Sequence, residues 1–154
     1  MYAETPLLLP PSAALLRWRD GRQFLRPQLP ALLRPWLFAE GSLTQRLIAA
    51  SGGDFRVRLL SQSWRRPVLA EARLVDLAPT AHALVREVIL YGAGQAWVYA
   101  RSILPVQTLT GDLRRLRKLQ NSSLGALLFT YPHLQRRPFE LTQSHGLWGR
   151  RSAV

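Results

Sequence analysis

The sequence of 154 residues contains no cysteine and only three histidines. Without thiols the chain can form neither a disulfide nor a thiolate metal site. The histidines, His82, His133 and His145, lie far apart and lack the spacing that metal ligands have. We therefore expect no metal site and interpret the three histidines as surface or core residues.

Long apolar runs and a leader-like N-terminus are also absent. Runs such as Leu7–Leu9 are far shorter than the ~20 residues that cross a bilayer. The first residues include Glu4 and no basic segment, so they do not resemble a secretory signal. We expect no membrane span and a cytoplasmic location.

Several catalytic motifs are missing from the sequence. It has no glycine-rich phosphate loop, no nucleophile elbow and no Cys/His pair. Any chemistry must therefore proceed without a nucleophilic side chain or a metal ion, and we expect no cofactor.

Acidic residues and lysine are scarce. The chain has nine Asp and Glu residues against 21 Lys and Arg, a formal charge of +12, and its only lysine is Lys118. The arginines are scattered, and only residues 114–118 form a cluster, which we interpret as a solvated helix face. Nucleic-acid binding through this cluster would predict a steep dependence on salt, and we expect no such partner. A basic chain also attracts small anions.

The remaining composition favours one packed domain over residues 1–154. An apolar fraction of 47% with five tryptophans argues against disorder. Residues 1–27 carry several prolines and no sustained period, so we expect a loosely ordered arm. A helix is predicted over residues 29–38, with a kink or a restart at Pro35.

Local signals place the other elements. Ser42 and Gln45 form a capping box and Gly52 follows as a helix stop, which predicts a helix over 43–51. Alternation of apolar and polar residues and the hairpin sequence GAGQ predict strands at 55–60, 84–91, 97–104 and 133–143. A short strand is also predicted near 70–75, within an excursion over 61–82, and a last strand begins in 145–154. Apolar stripes and serine caps predict two further helices, one that begins at 110–112 and buries Leu113, Leu116 and Leu119, and one capped by Ser122 or Ser123. This order predicts the α+β class, with an antiparallel sheet covered by helices on one face.

Two adjacent charges interrupt the apolar segment ALVREVIL. Because neighbours on a strand point to opposite faces, Arg86 and Glu87 each lie among apolar residues, where an unpaired charge is costly. If Tyr91 faces Trp97 across the hairpin, Glu87 lies opposite Arg101. A cross-strand ion pair would then satisfy both of these side chains.

Arg86 has no obvious local partner. It could pair with Asp76, Glu71 or a distant acid, lie on a wet face, or serve as a fork for a ligand carboxylate. Unpaired amides at two helix starts, near Leu43 and near Leu124, are further candidate anion contacts. With Arg86 they would suit a small dianion enclosed between the strand and the loops.

Four segments together resemble one enzyme family. The segments WLFAEGSLTQRL, LVREVILYGAGQAWVYARSILP, SSLGALLF and LWGRRS occur in this order and are similar to the chorismate pyruvate-lyase (chorismate lyase) family. The likeness runs from about Leu29 to the C-terminus, and residues 61–80 match poorly. It implies an antiparallel sheet with helices and ligand-enclosing flap loops.

The resemblance also implies a reaction. The family eliminates pyruvate from chorismate and leaves 4-hydroxybenzoate, the first committed step of ubiquinone biosynthesis. Aromatisation drives the reaction, so the enzyme mainly positions the substrate and excludes water, without a cofactor. Chorismate and 4-hydroxybenzoate are then the expected partners, and we expect a monomer.

The resemblance assigns roles to single residues. The family's carboxylate-binding arginine falls on Arg86, which becomes the predicted catalytic and substrate-binding side chain. The family's two backbone amide contacts fall on Leu43 and Leu124. Glu87 and Arg101 become a supporting pair.

One departure concerns the C-terminus. In the family, a further strand after LWGRRS bears a glutamate that contacts the ring hydroxyl, whereas this sequence ends at Val154. Glu140, in the preceding segment, does not match that position. A truncated sequence, a natural short form and a strand supplied by a second chain would each account for the difference, and we favour truncation.

The alternative function is a non-catalytic domain of the same fold that binds or senses small aromatic carboxylates.

Overall fold

Two antiparallel sheets of three strands each organise the chain. The computed structural model describes Pro10 and residues 12–154, and predictions for residues 1–9 and 11 lie outside the described residues. One sheet has the strand order β2-β3-β4 and the other β1-β5-β6. The predicted α+β class with antiparallel strands is confirmed, although the strands form two sheets rather than one.

The β2-β3-β4 sheet is the larger and carries the charged pair. Its strands are β2 (Phe55–Arg65), β3 (Ala83–Gly92) and β4 (Gln95–Pro105). A tight turn joins β3 to β4, with Ala93 and Gly94 both at positive φ, as the GAGQ segment predicts. Since β3 lies between two partners, its backbone groups are paired on both sides and its apolar side chains are buried on both faces.

Irregularities in this sheet change two predictions. A bulge at Leu90/Tyr91 sets Tyr91 opposite Ala96 instead of Trp97, yet the predicted pairing of Glu87 with Arg101 is confirmed in the register. The prediction that β2 ends at residue 60 is wrong. The strand continues through a bulge between Leu59 and Ser61 and then pairs with the first half of β3.

The second sheet consists of short strands. They are β1 (Arg19–Asp20), β5 (Glu140–Ser144) and β6 (Leu147–Arg151), with β5 in the centre. The last strand is confirmed, but the prediction of a strand from residue 133 is wrong for 133–139. Both ladders of β5 begin at Glu140, which pairs with Asp20 and Arg151, and residues 133–139 have no ladder partner within the described part of the chain.

The α-helices are short. They are α1 (Arg34–Leu37), α2 (Leu43–Ala50), α3 (Leu69–Leu74) and α4 (Leu124–Leu128). The helix predicted over residues 29–38 is much shorter, because Pro35 lies in the first turn of α1 and marks a restart. The strand predicted near residues 70–75 is wrong, since this segment forms α3 and Glu71 Oε2 accepts the Val68 N–H at its start.

Within residues 12–154, five segments form 3₁₀ turns or helices. They are Ala13–Leu15, Gly21–Gln23, Arg26–Gln28, Val106–Thr108 and Gly111–Lys118. In the last of these the predicted apolar stripe is confirmed, although the helix is of the tighter 3₁₀ type. Leu116 is fully buried and Leu113 packs against the same cluster. No helix in the part of the chain that the structure describes is long and apolar enough to cross a membrane.

Helices cover both faces of the larger sheet. On the Arg86 face, Leu84 packs with Leu116, and Val88 packs with Leu47 of α2. On the Glu87 face lies α3, whose Glu71 reaches Arg101. The prediction of helices on one face therefore holds for α2 and α4 but not for α3.

The β3–β4 turn supplies a test of the packing. A Cβ atom at Gly92 would lie 2.2 Å from the Trp97 ring, whereas a Cβ at Gly41 would meet nothing within 4 Å. We expect Gly92→Ala to lower the free energy of unfolding by roughly 1–3 kcal/mol and Gly41→Ala to leave it nearly unchanged. Denaturant titration of the two variants measures both values. Equal stabilities would contradict the packing of Trp97 over Gly92.

Candidate functional site

Arg86 lies in the middle of the larger sheet. Its residue is only 1% exposed, although arginine is rarely buried without a charged partner. It stands opposite Gln62 of β2 and Ser102 of β4, and Leu84 and Val88 flank it along β3. Burial therefore forces its guanidinium to find all its partners within the protein.

The partners of Arg86 are all uncharged. Its Nη1 donates to Gln62 Oε1 at 3.2 Å, and its Nη2 donates to the carbonyl oxygens of Gln120 at 2.7 Å and Ser122 at 2.8 Å. Burial lowers the pKa of Arg86 from its usual value, and no carboxylate in the described residues opposes this effect. None of the hydrogen bonds that Arg86 forms with the described residues uses its Nε–H.

The structural alternatives for Arg86 do not hold among the described residues. Asp76 pairs with Arg137 at 2.8 Å, and Glu71 pairs with Arg101 at 2.6 Å. The burial of Arg86 also excludes a position on a solvent-exposed face of the sheet. Within the described residues Arg86 therefore contacts neutral oxygen atoms instead of an acid, and its role as a ligand fork stays a prediction.

The two predicted amide positions lie at helix starts. In α2, Ser42 Oγ accepts the Gln45 N–H at 3.2 Å, which confirms this half of the predicted capping box. In α4, Ser123 Oγ accepts the Ala126 N–H at 3.1 Å, so Ser123 is the cap. The amides of Leu43 and Leu124 precede these capped positions and have no backbone acceptor in the described residues.

A pair of hydroxyl groups joins the two helix starts. Thr44 Oγ1 and Ser123 Oγ lie 2.7 Å apart, within hydrogen-bond distance. A Cβ at Gly125 would lie 3.2 Å from Thr44 Oγ1, so glycine permits this close approach. Because Arg86 holds the Ser122 carbonyl, the structure brings Arg86, Leu43 and Leu124 into one neighbourhood.

A large open cavity adjoins this neighbourhood. Its volume is about 2350 Å³, and Leu43 and Leu124 line it, whereas Arg86 does not. This volume exceeds the ~300–1,000 Å³ of typical small-molecule sites. The cavity also passes Tyr99 and Arg101 on the other face of the sheet. The ligand-enclosing flap loops therefore stay a prediction.

Sequence reasoning missed a second arginine with uncharged partners. Arg150 of β6 donates through Nη1 to the carbonyl oxygens of Trp36 at 3.0 Å and Ala39 at 2.7 Å. Burial, assisted by the charges of Arg136 and Arg46, lowers the pKa of Arg150 to about 10. The carbonyls that it holds precede the start of α2. The only signal in the sequence was its place in LWGRRS.

Glu87 lies on the opposite face in a network of charged and hydroxyl groups. Its Oε1 accepts from Tyr99 Oη at 2.5 Å and from Arg101 Nη1 at 3.0 Å, and its Oε2 accepts from Ser61 Oγ at 2.7 Å and from Arg65. Arg101 also donates through Nε to Glu71 at 2.6 Å. Thus Arg101 bridges the carboxylates of Glu71 and Glu87, which are both largely shielded from solvent.

This network changes the pKa of Glu87, Tyr99 and Arg101. Burial acts to raise the pKa of Glu87, but the hydrogen bonds from Tyr99, Ser61 and Arg65 and the charge of Arg101 outweigh it and lower the pKa to about 2. Burial and the Glu87 carboxylate raise the pKa of Tyr99. Burial acts to lower the pKa of Arg101, but the Glu71 and Glu87 carboxylates outweigh burial and raise this pKa above its usual value.

Removing the bridge tests the supporting role predicted for Arg101. We expect Arg101→Ala to lower the free energy of unfolding by about 2–3 kcal/mol, because Glu71 and Glu87 lose their shared cation. Arg137→Ala is the matched control, since it breaks an exposed ion pair worth about 0–1 kcal/mol. Thermal unfolding of both variants measures the difference. A melting temperature of Arg101→Ala equal to that of the control would contradict the supporting role.

The acid dependence of stability provides a second test of the network. Because the pKa of Glu87 is lowered from 4.5 to about 2 on folding, its contribution is complete above pH ~4.5 and is lost as the pH falls towards 2. The unfolding free energy of the wild-type protein should decline between roughly pH 5 and pH 2, and we expect Glu87→Gln to make this decline shallower. Denaturant titrations across this range measure the slope. An unchanged slope would contradict the lowered pKa.

Comparison with known proteins places this arrangement in a family. The family described as "Chorismate lyase" matches residues 15–154, which include every strand and α-helix described above. The match covers far more than half of the chain, including β3 and the two helix starts.

Individual relatives agree with the family match. The chain is 42% identical over 146 residues to "Probable chorismate pyruvate-lyase 2" of Pseudomonas fluorescens (strain Pf0-1), covering 88% of this chain and 79% of that protein. It is 40% identical over 153 residues to a "Probable chorismate pyruvate-lyase" of Pseudomonas aeruginosa (strain PAO1), covering 92% and 84%. A similarly named protein of Marinobacter nauticus is 43% identical over 114 residues, covering 74% and 61%. The chain belongs to the chorismate lyase family.

Proposed function

We propose that this protein eliminates pyruvate from chorismate and leaves 4-hydroxybenzoate. The proposal is supported by membership of the family and by the names of the relatives. The single observation that carries it is Arg86, a buried cation without a carboxylate partner among the described residues, next to two helix starts with unpaired amides. This combination suits a small anion with several polar groups.

The reaction demands little chemistry from the protein. The carbon–oxygen bond to the enolpyruvyl group breaks and the ring loses a proton, which leaves an aromatic ring, while the released enolpyruvate takes up a proton and becomes pyruvate. Aromatisation provides the driving force, so positioning and exclusion of water account for most of the catalysis required. No metal or cofactor takes part in the proposed reaction.

Arg86 binds the ring carboxylate in this proposal. Its Nη2 is occupied by the carbonyls of Gln120 and Ser122, which orient the guanidinium, while its Nε–H is available to a ligand. The carboxylate supplies the negative charge that the uncharged partners of Arg86 lack.

The amides of Leu43 and Leu124 bind the other polar groups of the ligand. Both contacts use the main chain, so a leucine side chain at either position is compatible with the role. The Thr44–Ser123 hydroxyl pair fixes the distance between the two amides. Glu140 takes no part, because its carboxylate binds Arg151 Nε at 2.6 Å across the β5–β6 hairpin.

The wider setting follows from the family resemblance. We infer that the 4-hydroxybenzoate produced enters ubiquinone biosynthesis and that the enzyme works as a cytoplasmic monomer without a nucleic-acid partner. Residues 1–154 act as one chorismate lyase-like domain in this proposal.

A non-catalytic aromatic-carboxylate sensor is the second candidate. One observation favours it: among the described residues, no carboxylic acid contacts Arg86, so its neighbours supply no general acid or base. Loss of such a group typically costs ~10²–10⁴ in rate. Binding without turnover would therefore indicate the sensor.

Two measurements separate these functions. We expect the wild-type protein, with its intact mass verified, to release pyruvate from chorismate above the uncatalysed rate and to bind 4-hydroxybenzoate in calorimetry. We expect Arg86→Ala to weaken this binding by ~100-fold, because a charge-assisted hydrogen bond is lost. Arg114→Ala removes an exposed charge and should leave the affinity unchanged.

Each outcome of these measurements has a distinct meaning. Binding that depends on Arg86 without pyruvate release supports the sensor instead of the lyase. Binding that Arg86→Ala leaves intact contradicts the carboxylate fork in either function. Circular dichroism of Arg86→Ala provides the control for folding.

A further inference from the structure

Gln62 reaches Arg86 only because β2 contains one extra residue. The ladder pairs Leu59 with Val88 and then Ser61 with Glu87, so Leu60 is the residue added at the bulge. Without this bulge Ser61 would face Arg86, and Gln62 would point to the opposite face of the sheet. The bulge therefore aims the long amide at Arg86 and the short hydroxyl at Glu87.

The amide of Gln62 is held in one orientation. Its Nε2 donates to the Arg117 carbonyl oxygen at 2.8 Å, and its Oε1 accepts from Arg86 Nη1 at 3.2 Å. A carbonyl oxygen accepts and a guanidinium donates, so both bonds can form only with the nitrogen towards Arg117 and the oxygen towards Arg86. Gln62 thus orients Arg86 without adding charge.

The two faces of the sheet differ in the partners that their charged side chains have. On one face, Glu87 and Glu71 share Arg101, and Arg65 also contacts Glu87. On the other face, one residue away along β3, Arg86 donates hydrogen bonds only to neutral oxygen atoms of the described residues. A carboxylate in place of the Gln62 amide would occupy the same position and neutralise the guanidinium.

We propose that Gln62 is a positioning residue for the ligand carboxylate: it orients Arg86 and, being neutral, leaves the charge of Arg86 free for the anionic ligand. This inference rests on the proposed function, since it assumes that Arg86 binds the carboxylate. It makes residue 62 a determinant of specificity for anionic over neutral ligands.

A purely structural role predicts something different. If Gln62 only ties β2 to the Gly111–Lys118 helix, every substitution that breaks the bond to Arg117 has the same effect on all ligands. Gln62→Glu and Gln62→Met both lose this bond and keep a similar length, but only the first adds a negative charge. The comparison between them isolates the contribution of charge.

The test uses two ligands that differ in charge. Calorimetry measures the affinities of 4-hydroxybenzoate and of neutral 4-hydroxybenzamide for the wild-type protein and for both variants. We expect Gln62→Glu to weaken binding of the benzoate by at least ~30-fold, because two carboxylates then compete for one cation. Binding of the benzamide should change as in Gln62→Met, so the preference for the anion is lost only in Gln62→Glu.

A ligand-free measurement accompanies this comparison. Because the added carboxylate pairs with Arg86, we expect Gln62→Glu to melt at a higher temperature than Gln62→Met. A lower melting temperature for Gln62→Glu, or a preference for benzoate retained in that variant, would overturn the inference while leaving the proposed function in place. A wild-type protein that binds the two ligands equally would instead overturn the proposed function and, with it, the inference.

Discussion

The burial of a guanidinium without a carboxylate partner is the constraint on which the candidate site depends. Desolvation of Arg86 is costly, and the fold offsets it with three neutral oxygen atoms supplied by β2 and by the segment before α4. Those contacts in turn fix where α4 begins, and the Thr44–Ser123 hydroxyl pair fixes α2 against it. One buried side chain thereby organises the strand, the loop and both helix starts.

The larger sheet separates two electrostatic environments. On the Glu87 face, Arg65 and Arg101 pair with the Glu87 and Glu71 carboxylates, which favours stability. On the Arg86 face, positive charge is left uncompensated by the described residues, which favours anion binding at a cost in stability. The β2 bulge maintains this separation, because it assigns Ser61 to one face and Gln62 to the other.

The sequence predicted the parts of this arrangement that have local signals. The Ser42 cap, the β3–β4 hairpin and the Glu87–Arg101 register follow from capping chemistry, turn residues and strand alternation. The bulge at Leu60 has no such signal, since an apolar residue fits an ordinary strand there, and simple alternation therefore does not place Gln62 beside Arg86. The prediction of a strand near residues 70–75 is wrong because Glu71 accepts the Val68 N–H and so stabilises the start of α3. The acids that could have paired with Arg86 are engaged elsewhere by Arg101 and Arg137, which only the tertiary structure reveals.

The central claim is that Arg86 itself receives the ligand carboxylate, and arginine side-chain NMR tests it most directly. The Nε–H signal of Arg86 can be assigned in ¹⁵N-labelled protein by its loss in Arg86→Lys. Titration with 4-hydroxybenzoate should shift this signal, because the Nε–H, which bonds to none of the described residues, gains a hydrogen bond to a carboxylate. A signal that stays in place while backbone amides report saturable binding would contradict the account.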